Sequence, residues 1–302
     1  MTIICPPGYP GGQITKKERR KLKSKTLGVW AYVLPALLVL GLILIIPLIY
    51  TFWMSLQHMP IGKPPTFVGM RNFSRIFRDP IFYKSLKNTF IYAFPAVAIK
   101  AIIGLGVAVL LNQEFRGRGI LRGLAILPYA LQPFVVSVLF WFVYDYRGIG
   151  NILLRVVGLK PIHWLGVQYA MPSLILVNVW HGWPFFYLGF LAGLQSIPGE
   201  LYESAEIDGA SSWQRFFSIT LPLLKDVFLI VCGLSLMWTM GDFVIPKMMT
   251  GGGPADATLT IPMATYKIAF LLGLNYPLAS AYAVTILPIF AVLIYFTVRH
   301  LE

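Results

Sequence analysis

Six apolar runs, each long enough to cross a bilayer as a helix, constrain this chain before any other feature does. They extend over about Gly28 to Leu56, Asn88 to Leu111, Gly123 to Tyr144, Met171 to Leu194, Val227 to Met249 and Pro277 to Val298. A hydrocarbon core about 30 Å thick needs about 20 apolar residues per helix, and each run meets that length. The expected fold is all-α, a polytopic membrane protein with about six transmembrane helices. Composition agrees: 12% of the 302 residues are charged and 57% hydrophobic, whereas an ordinary soluble domain is about 25% charged.

Charge placement sets the expected orientation. The first run is preceded by Lys16, Lys17, Arg19, Arg20, Lys21, Lys23 and Lys25. It is too long for a signal-peptide core and lacks a small-residue cleavage pattern, so it should remain as an uncleaved anchor. Residues 1–25 read as a basic cytoplasmic tail and 26–302 as the membrane domain. The tail's charge is a positive-inside signal with some attraction to anionic lipid, and no nucleic-acid partner is expected. An even number of spans puts both termini in the cytoplasm, and Arg116, Arg118 and Arg122 in the loop from Glu114 to Arg122 agree. One segment disagrees. Gln57 to Lys87, outside in this topology, carries Lys63, Arg71, Arg75, Arg78, Lys84 and Lys87; its Arg/Phe alternation also fits an interfacial helix. The orientation is kept because the tail flanks the first helix, which usually dominates.

The longest polar interval facing the cytoplasm is Pro198 to Asp226, PGELYESAEIDGASSWQRFFSITLPLLKD. Glu200, Glu203, Glu206 and Asp208 place four of the chain's twelve acids within nine positions, in a protein of formal net charge +13, which suggests a basic partner. Pro198 suits a helix start and Gly209 a stop or bend; a second helical pattern from about Ser211 to Ile219 should end before Pro222. Periodicity alone also allows an amphipathic hairpin lying on the headgroups. Glu203-Ser204-Ala205, then Gly209, then Ile219-Thr220-Leu221-Pro222, resembles the EAA loop of ABC importer permeases, and Tyr202, Ile207 to Ala210 and Trp213 are similar to the branch that imports sugars, of the maltose and glycerol-phosphate type. Ser204 stands where that family usually has alanine. The resemblance implies that this loop docks on a cytoplasmic ATPase through Glu203, Ser204, Ala205, Asp208, Gly209, Leu221 and Pro222. It also implies an inner-membrane location in a bacterium or archaeon and three kinds of partner: a second, homologous permease, a dimeric ATPase and an extracytoplasmic solute-binding protein. No cofactor is expected on this chain, ATP being held by the ATPase. Phe67 to Gly69, Asn72, Asp79-Pro80 and Asn88-Thr89 resemble the family's first external loop, and Thr250 to Pro254 its T-x-GGP loop.

Polar groups inside the spans form two stripes. Ser235, Trp238, Thr239 and Asp242 stand at i, i+3, i+4 and i+7 of the fifth span, and Asn178, His181, Gly182 and Phe185 repeat that spacing in the fourth. An ionised carboxylate near hydrocarbon costs about 3 kcal/mol on insertion scales, so Asp242 needs a cavity, water or a cation. Amides and carboxylates hydrogen-bond sugar hydroxyls while aromatic rings cover the apolar faces of the pyranose, and both kinds are present. The family resemblance implies the same pathway: counting without a gap from Glu203, its sugar-site positions fall on Asn178, Gly182, Phe185, Ser235, Trp238, Thr239 and Asp242. The alternative is that these groups join helices to one another. Lys100, near the middle of the second span, is read as an internal ion-pair partner, for instance of Asp242, or as a cavity charge. Gln132 before Pro133 is a further candidate lining group.

Other functions find less support. No G-x-x-x-x-G-K-[ST] string occurs, so nucleotide is not bound by that route. Cys5 and Cys232 are too far apart in sequence and setting to suggest a disulfide or a metal site, and no catalytic or metal-ligating residues are assigned. A membrane-embedded transferase using Asp242, His181 and Lys100 would be expected to carry a DxD, HExxH or paired-carboxylate pattern, and none is present. A secondary transporter usually brings more helices and internal repeats.

Overall fold

The computed structural model describes residues 16–60 and 64–299. Residues 1–15 of the expected tail, with Cys5, and also Lys63 and residues 300–302, lie outside the described residues. Contacts divide the chain into Met1–Trp53 and Met54–Glu302. The first unit holds most of α1 (Lys16–Ser55), so the helix begins within the basic tail and includes an apolar stretch from Tyr32 to Ser55 long enough to cross a membrane.

The second unit begins with a short antiparallel pair, β1 (Gln57–His58) and β2 (Thr66–Phe67). Next comes α2 (Arg71–Ile76), whose Asn72 amide donates to the carbonyls of Ser55 and Gln57, both at 2.8 Å. Phe73 and Ile76 are buried against Ile261, Met263 and Tyr282. The apolar face of α2 is therefore turned into the protein, which replaces the interfacial-helix reading of its Arg/Phe alternation.

α3 (Pro80–Asn112) is capped by Asp79, whose Oδ1 accepts from the Ile81 N–H at 2.9 Å, with proline at the first helical position. At its other end the Arg122 guanidinium donates twice to the Leu111 carbonyl, at 2.7 and 3.1 Å, satisfying an orphan carbonyl of a helix C-terminus. The third apolar run is broken. α4 (Arg118–Ala130) and α5 (Pro133–Tyr144) meet at 89°. Pro133 forces the preceding residue out of the helical region, and both Leu131 (ψ 141°) and Gln132 (ψ 142°) are extended.

α6 (Ile149–Val156) leads to α7 (Ala170–Ser196), which packs most extensively on α3. A Cβ on Gly104 of α3 would collide with the Phe186 side chain and the Tyr187 nitrogen, so its absence lets the two backbones approach. The polar loop carries α8 (Gly199–Ile207) and α9 (Ser212–Arg215), then a π turn over Phe216–Thr220 and α10 (Leu221–Leu223). The second pattern therefore does not end before Pro222. The π turn, with the Leu221 N–H bonded to the Phe216 carbonyl, widens the helix by one residue and so admits a proline that an α-helical ladder would reject.

The fifth span consists of α11 (Lys225–Met240) and α12 (Val244–Met249), separated at Gly241 to Phe243. Pro246 is the cause, since its ring would meet the carbonyl four residues earlier, that of Asp242. After α13 (Ile261–Tyr266) and a π turn (Lys267–Leu271), the chain ends in α14 (Tyr276–Thr285) and α15 (Leu287–Arg299), which together form the last span. Five described helical segments are long and apolar enough to cross a membrane, six with the bent α4–α5 pair taken as one. The all-α polytopic architecture stands.

Candidate functional site

Helices α3, α4, α5, α7 and α11, with the break after α11, enclose a cavity of about 240 Å³. Asn178, Gly182 and Phe185 from α7, Ser235, Trp238 and Thr239 from α11, and Asp242 from the break all line it, together with Lys100, Tyr129, Pro133 and His181. The two stripes separately visible in the sequence thus face one space. Gln132 is exposed and is not among the lining residues.

Lys100 is buried, 3% exposed, and its Nζ donates to Asn178 Oδ1 at 2.8 Å and to Thr239 Oγ1 at 3.0 Å. Asn178 donates in turn from Nδ2 to Asp242 Oδ2 at 3.2 Å. No Lys100–Asp242 salt bridge is formed among the described residues; the two charges are joined through the Asn178 amide. A buried ammonium and a buried carboxylate each lose their hydration, and this relay supplies each with charge-assisted hydrogen bonds. Asp242 receives two further bonds, from the Tyr92 hydroxyl at 2.6 Å and the Ile245 N–H at 3.3 Å. Its carboxylate therefore accepts from an N–H of the first turn of α12 besides compensating a cation, and it lies in a helix break rather than on a continuous helical face.

Gly182 has a role that its sequence position did not disclose. A Cβ there would lie 2.7 Å from Lys100 Cδ and 3.3 Å from Nζ. The missing side chain is the slot through which the lysine stem passes. Tyr92 was also missed; its signal was the spacing of Tyr92, Ala96 and Lys100 at i, i+4 and i+8, one face of α3. Much of the remaining lining is aromatic, beside Ser235, Pro133 and Ile245. Phe185 meets Trp238 edge-on at 5.0 Å, and Tyr129 stacks on Phe185 at 6.2 Å. Trp238 is 56% exposed, so its ring is available. His181 Nε2 lies 3.0 Å from the Leu131 carbonyl, at the α4–α5 break.

The seven loop residues singled out in sequence lie on a separate, ordered unit. α8 ends in a Schellman arrangement: Ala210 N–H bonds to the Ala205 carbonyl at 2.9 Å, Gly209 N–H to Glu206 at 3.0 Å, and Gly209 has φ +76°. Asp208 is the C-cap and Ser204 Oγ bonds to the Glu200 carbonyl at 2.8 Å. Ser211 and Gln214 form a capping box. Glu206 pairs with Arg215 at 2.8 Å, and the Tyr202 and Thr220 hydroxyls meet at 2.9 Å, tying α8 to the π turn. Leu221 and Pro222 open α10. Glu203, Ile207 (86% exposed) and Trp213 (73% exposed) remain on the surface, with Trp213 stacked on Phe217. Elsewhere, the T-x-GGP loop is held by Asn88, whose Nδ2 donates to the carbonyls of Asp256 and Leu259, and by the Thr250–Thr258 hydroxyl pair at 2.7 Å.

Comparison with known proteins agrees with this architecture. Residues 100–302 match the model of the family described as binding-protein-dependent transport system inner membrane component. The trehalose/maltose transport system permease protein MalF of Thermococcus litoralis is 37% identical over 289 residues, covering 94% of this chain and 96% of that protein. A probable ABC transporter permease protein, y4oQ, of Sinorhizobium fredii is 34% identical over 95% of this chain and 94% of its own length. Among solved structures, a bacterial alginate ABC transporter in complex with an alginate pentasaccharide-bound periplasmic protein superposes with a TM-score of 0.79 at 22% identity, covering 93% of this chain and 96% of that one, a likeness of fold. The chain belongs to the binding-protein-dependent transport system inner membrane component family and is a multi-pass permease subunit of an ABC transporter.

Proposed function

We propose that this permease imports a carbohydrate, and that Asn178, Gly182, Phe185, Ser235, Trp238, Thr239 and Asp242 line the route the solute takes. The observation carrying this reading is the cavity itself. Buried hydrogen-bonding groups are gathered on one side, and the rings of Phe185, Trp238 and Tyr129 stand beside them, the pairing of functions that a pyranose requires. The relatives' carbohydrate substrates support the class. Gly182 acts in this reading by admitting Lys100 rather than by touching solute.

The loop 198–226 is the docking element for an ATPase. Glu203 offers a charged acceptor to a basic residue of that partner, Ser204 and Ala205 keep the contacting face of α8 small, Asp208 and Gly209 make the bend, and Leu221-Pro222 set the return into the membrane. Two ATPase copies hold the ATP, so this chain carries no cofactor; a homologous permease completes the pathway, and a solute-binding protein delivers from outside. Residues 1–25 form the cytoplasmic tail, 26–302 the transport domain, and both termini are cytoplasmic. ATP-driven closure of the ATPase pair would swing the helices between inward and outward openings.

The test is co-purification of the wild type and of Glu203→Ala/Gly209→Pro with the ATPase, followed by uptake in proteoliposomes for Trp238→Ala. The loop variant should lose the ATPase. Trp238→Ala should lower apparent solute affinity about tenfold while ATPase binding persists. An ATPase retained by the loop variant would remove the docking assignment, and unchanged uptake by Trp238→Ala would remove the ring from the pathway.

A further inference from the structure

The segment between Gln57 and Lys87 runs against the positive-inside bias set by the N-terminal tail, and the structure shows how several of its cations are placed. Lys84 is engaged in holding the T-x-GGP loop, its Nζ donating to the Ala255 carbonyl at 2.7 Å. Arg71, Arg75 and Arg78 behave differently. All three are exposed, and they line one crevice of about 730 Å³ with His58, Asn72 and Asp79. Among the described residues none of their guanidinium groups has a hydrogen bond or an ion pair. The one acid of the crevice is already engaged, Asp79 Oδ1 by the Ile81 N–H and Oδ2 by the Tyr282 hydroxyl at 3.2 Å.

The wall carrying the arginines is fixed. Phe73 and Ile76 anchor α2 in the core, and the Asn72 amide ties it to the strand pair. The rigid support fixes where the three arginine stems leave the backbone, and their unengaged guanidinium forks can each bind a carboxylate in bidentate fashion.

Height above the membrane separates a protein partner from lipid. α3 is 33 residues long, and its apolar run starts at Asn88. The eight residues Pro80 to Lys87 raise its N-terminus about 12 Å beyond the hydrocarbon, whereas the interfacial layer is roughly 5–8 Å deep on each side. The crevice, built around Asp79 and Pro80, therefore stands past the headgroups. We propose that the arginine crevice is the docking site for acidic side chains of the solute-binding protein; this rests on the orientation given above, with Gln57 to Lys87 outside.

The complete transport complex in nanodiscs, assayed for ATP hydrolysis against increasing concentrations of its solute-loaded binding protein, tests this. Arg71→Glu/Arg75→Glu/Arg78→Glu should raise the half-saturating concentration about tenfold or more without lowering the maximal rate. The wild-type curve should weaken with added salt and the variant's should not. The Arg→Gln version of the same triple substitution should give a smaller shift in the same direction, guarding against a folding defect of the charge-reversed form. Superimposable curves overturn the proposal. So does a shift that appears only in discs containing phosphatidylglycerol and not in pure phosphatidylcholine, which would make the crevice a lipid site. A wild-type complex that no binding protein stimulates would overturn the transport reading itself, and differs from both results because no difference between variants is then involved.

Discussion

Gly182→Ala is the sharpest probe of the cavity. The new methyl would lie 2.7 Å from Lys100 Cδ, well inside contact distance, and a tight 3.3 Å from Nζ. Neither helix can retreat readily, because α3 and α7 already touch backbone to side chain at Gly104. The lysine must rotate instead, and it is pinned at its tip by Asn178 and Thr239. Moving it breaks at least one of those bonds, and a hydrogen bond to a charged group contributes about 1.5–3 kcal/mol; overpacking of a filled core costs about 1–3 kcal/mol by itself. Only the smaller of two routes is taken, so the expected penalty is about 1–3 kcal/mol, about five- to 150-fold in an equilibrium constant. Thermal unfolding of the purified complex and solute uptake in proteoliposomes should both record it. Repeating the substitution in a Lys100→Met/Asp242→Asn background, where an unpinned neutral side chain can turn aside, should remove at least half of the loss. An equal loss in both backgrounds, or none in either, would refute the slot.

Asp242→Asn alone should sharply reduce recovery of folded complex, since it leaves the Lys100 ammonium without a compensating charge at about 3–5 kcal/mol; Lys100→Met/Asp242→Asn should restore recovery on size-exclusion chromatography, and failure to do so would show that the relay is not the reason. Gly209→Ala meets nothing within 4 Å but must hold φ +76°, a cost of about 1–2 kcal/mol for a residue with a Cβ; ATPase co-purification should fall while thermal stability of the membrane part stays constant, and Gly209→Asn should be milder. Gly193→Leu would press on Leu224 Cδ2, 2.6 Å from an added Cβ, and wedge α7 from α11; ATP hydrolysis should continue while uptake is lost, in contrast to Gly199→Ala, which meets no atom within 4 Å and should be neutral in both assays.

The spans were legible because a bilayer imposes one length on every crossing, and apolar runs of that length recur from Gly28 to Val298. The facing of the two stripes was legible for a related reason: a helix fixes which residues share a face, so Asn178, Gly182 and Phe185 had to appear together, as did Ser235, Trp238 and Thr239. What one helix cannot specify is its rotation against another. Lys100 could be matched to Asp242 by charge, but that Asn178 stands between them depends on how α3, α7 and α11 are turned. Asp242 illustrates a second limit. The i+7 spacing treated the span as continuous, while the residue that breaks it, Pro246, stands four positions further on. The positive-inside bias likewise registers the sign of Arg71, Arg75 and Arg78 and not their convergence on one crevice.

The same close packing bears on how the proposed lever would act. The loop 198–226 is continuous at one end with α7 and at the other with α11, the two helices that supply most of the cavity's polar lining. Phe185 is 11 residues before Ser196 and Ser235 is 10 after Lys225, about 15–17 Å along each helix. Over that interval the helices are in intimate contact, with Gly189 against Val231 and Gly193 against Leu224. Such contacts leave no room for sliding or separation, so a displacement entering through the loop reaches both walls as one body. α3 is joined to them through Gly104 and through the Lys100 relay. The wall that carries no part of the relay is the α4–α5 pair with Tyr129 and Pro133, held to α3 by Arg122 on the Leu111 carbonyl and to α7 by the contact of His181 with the Leu131 carbonyl and by the Tyr144 hydroxyl on the Ser173 carbonyl. Opening the cavity along that break leaves the buried charges paired; opening it between α7 and α11 separates Asn178 from Asp242 and exposes both charges of the relay at once.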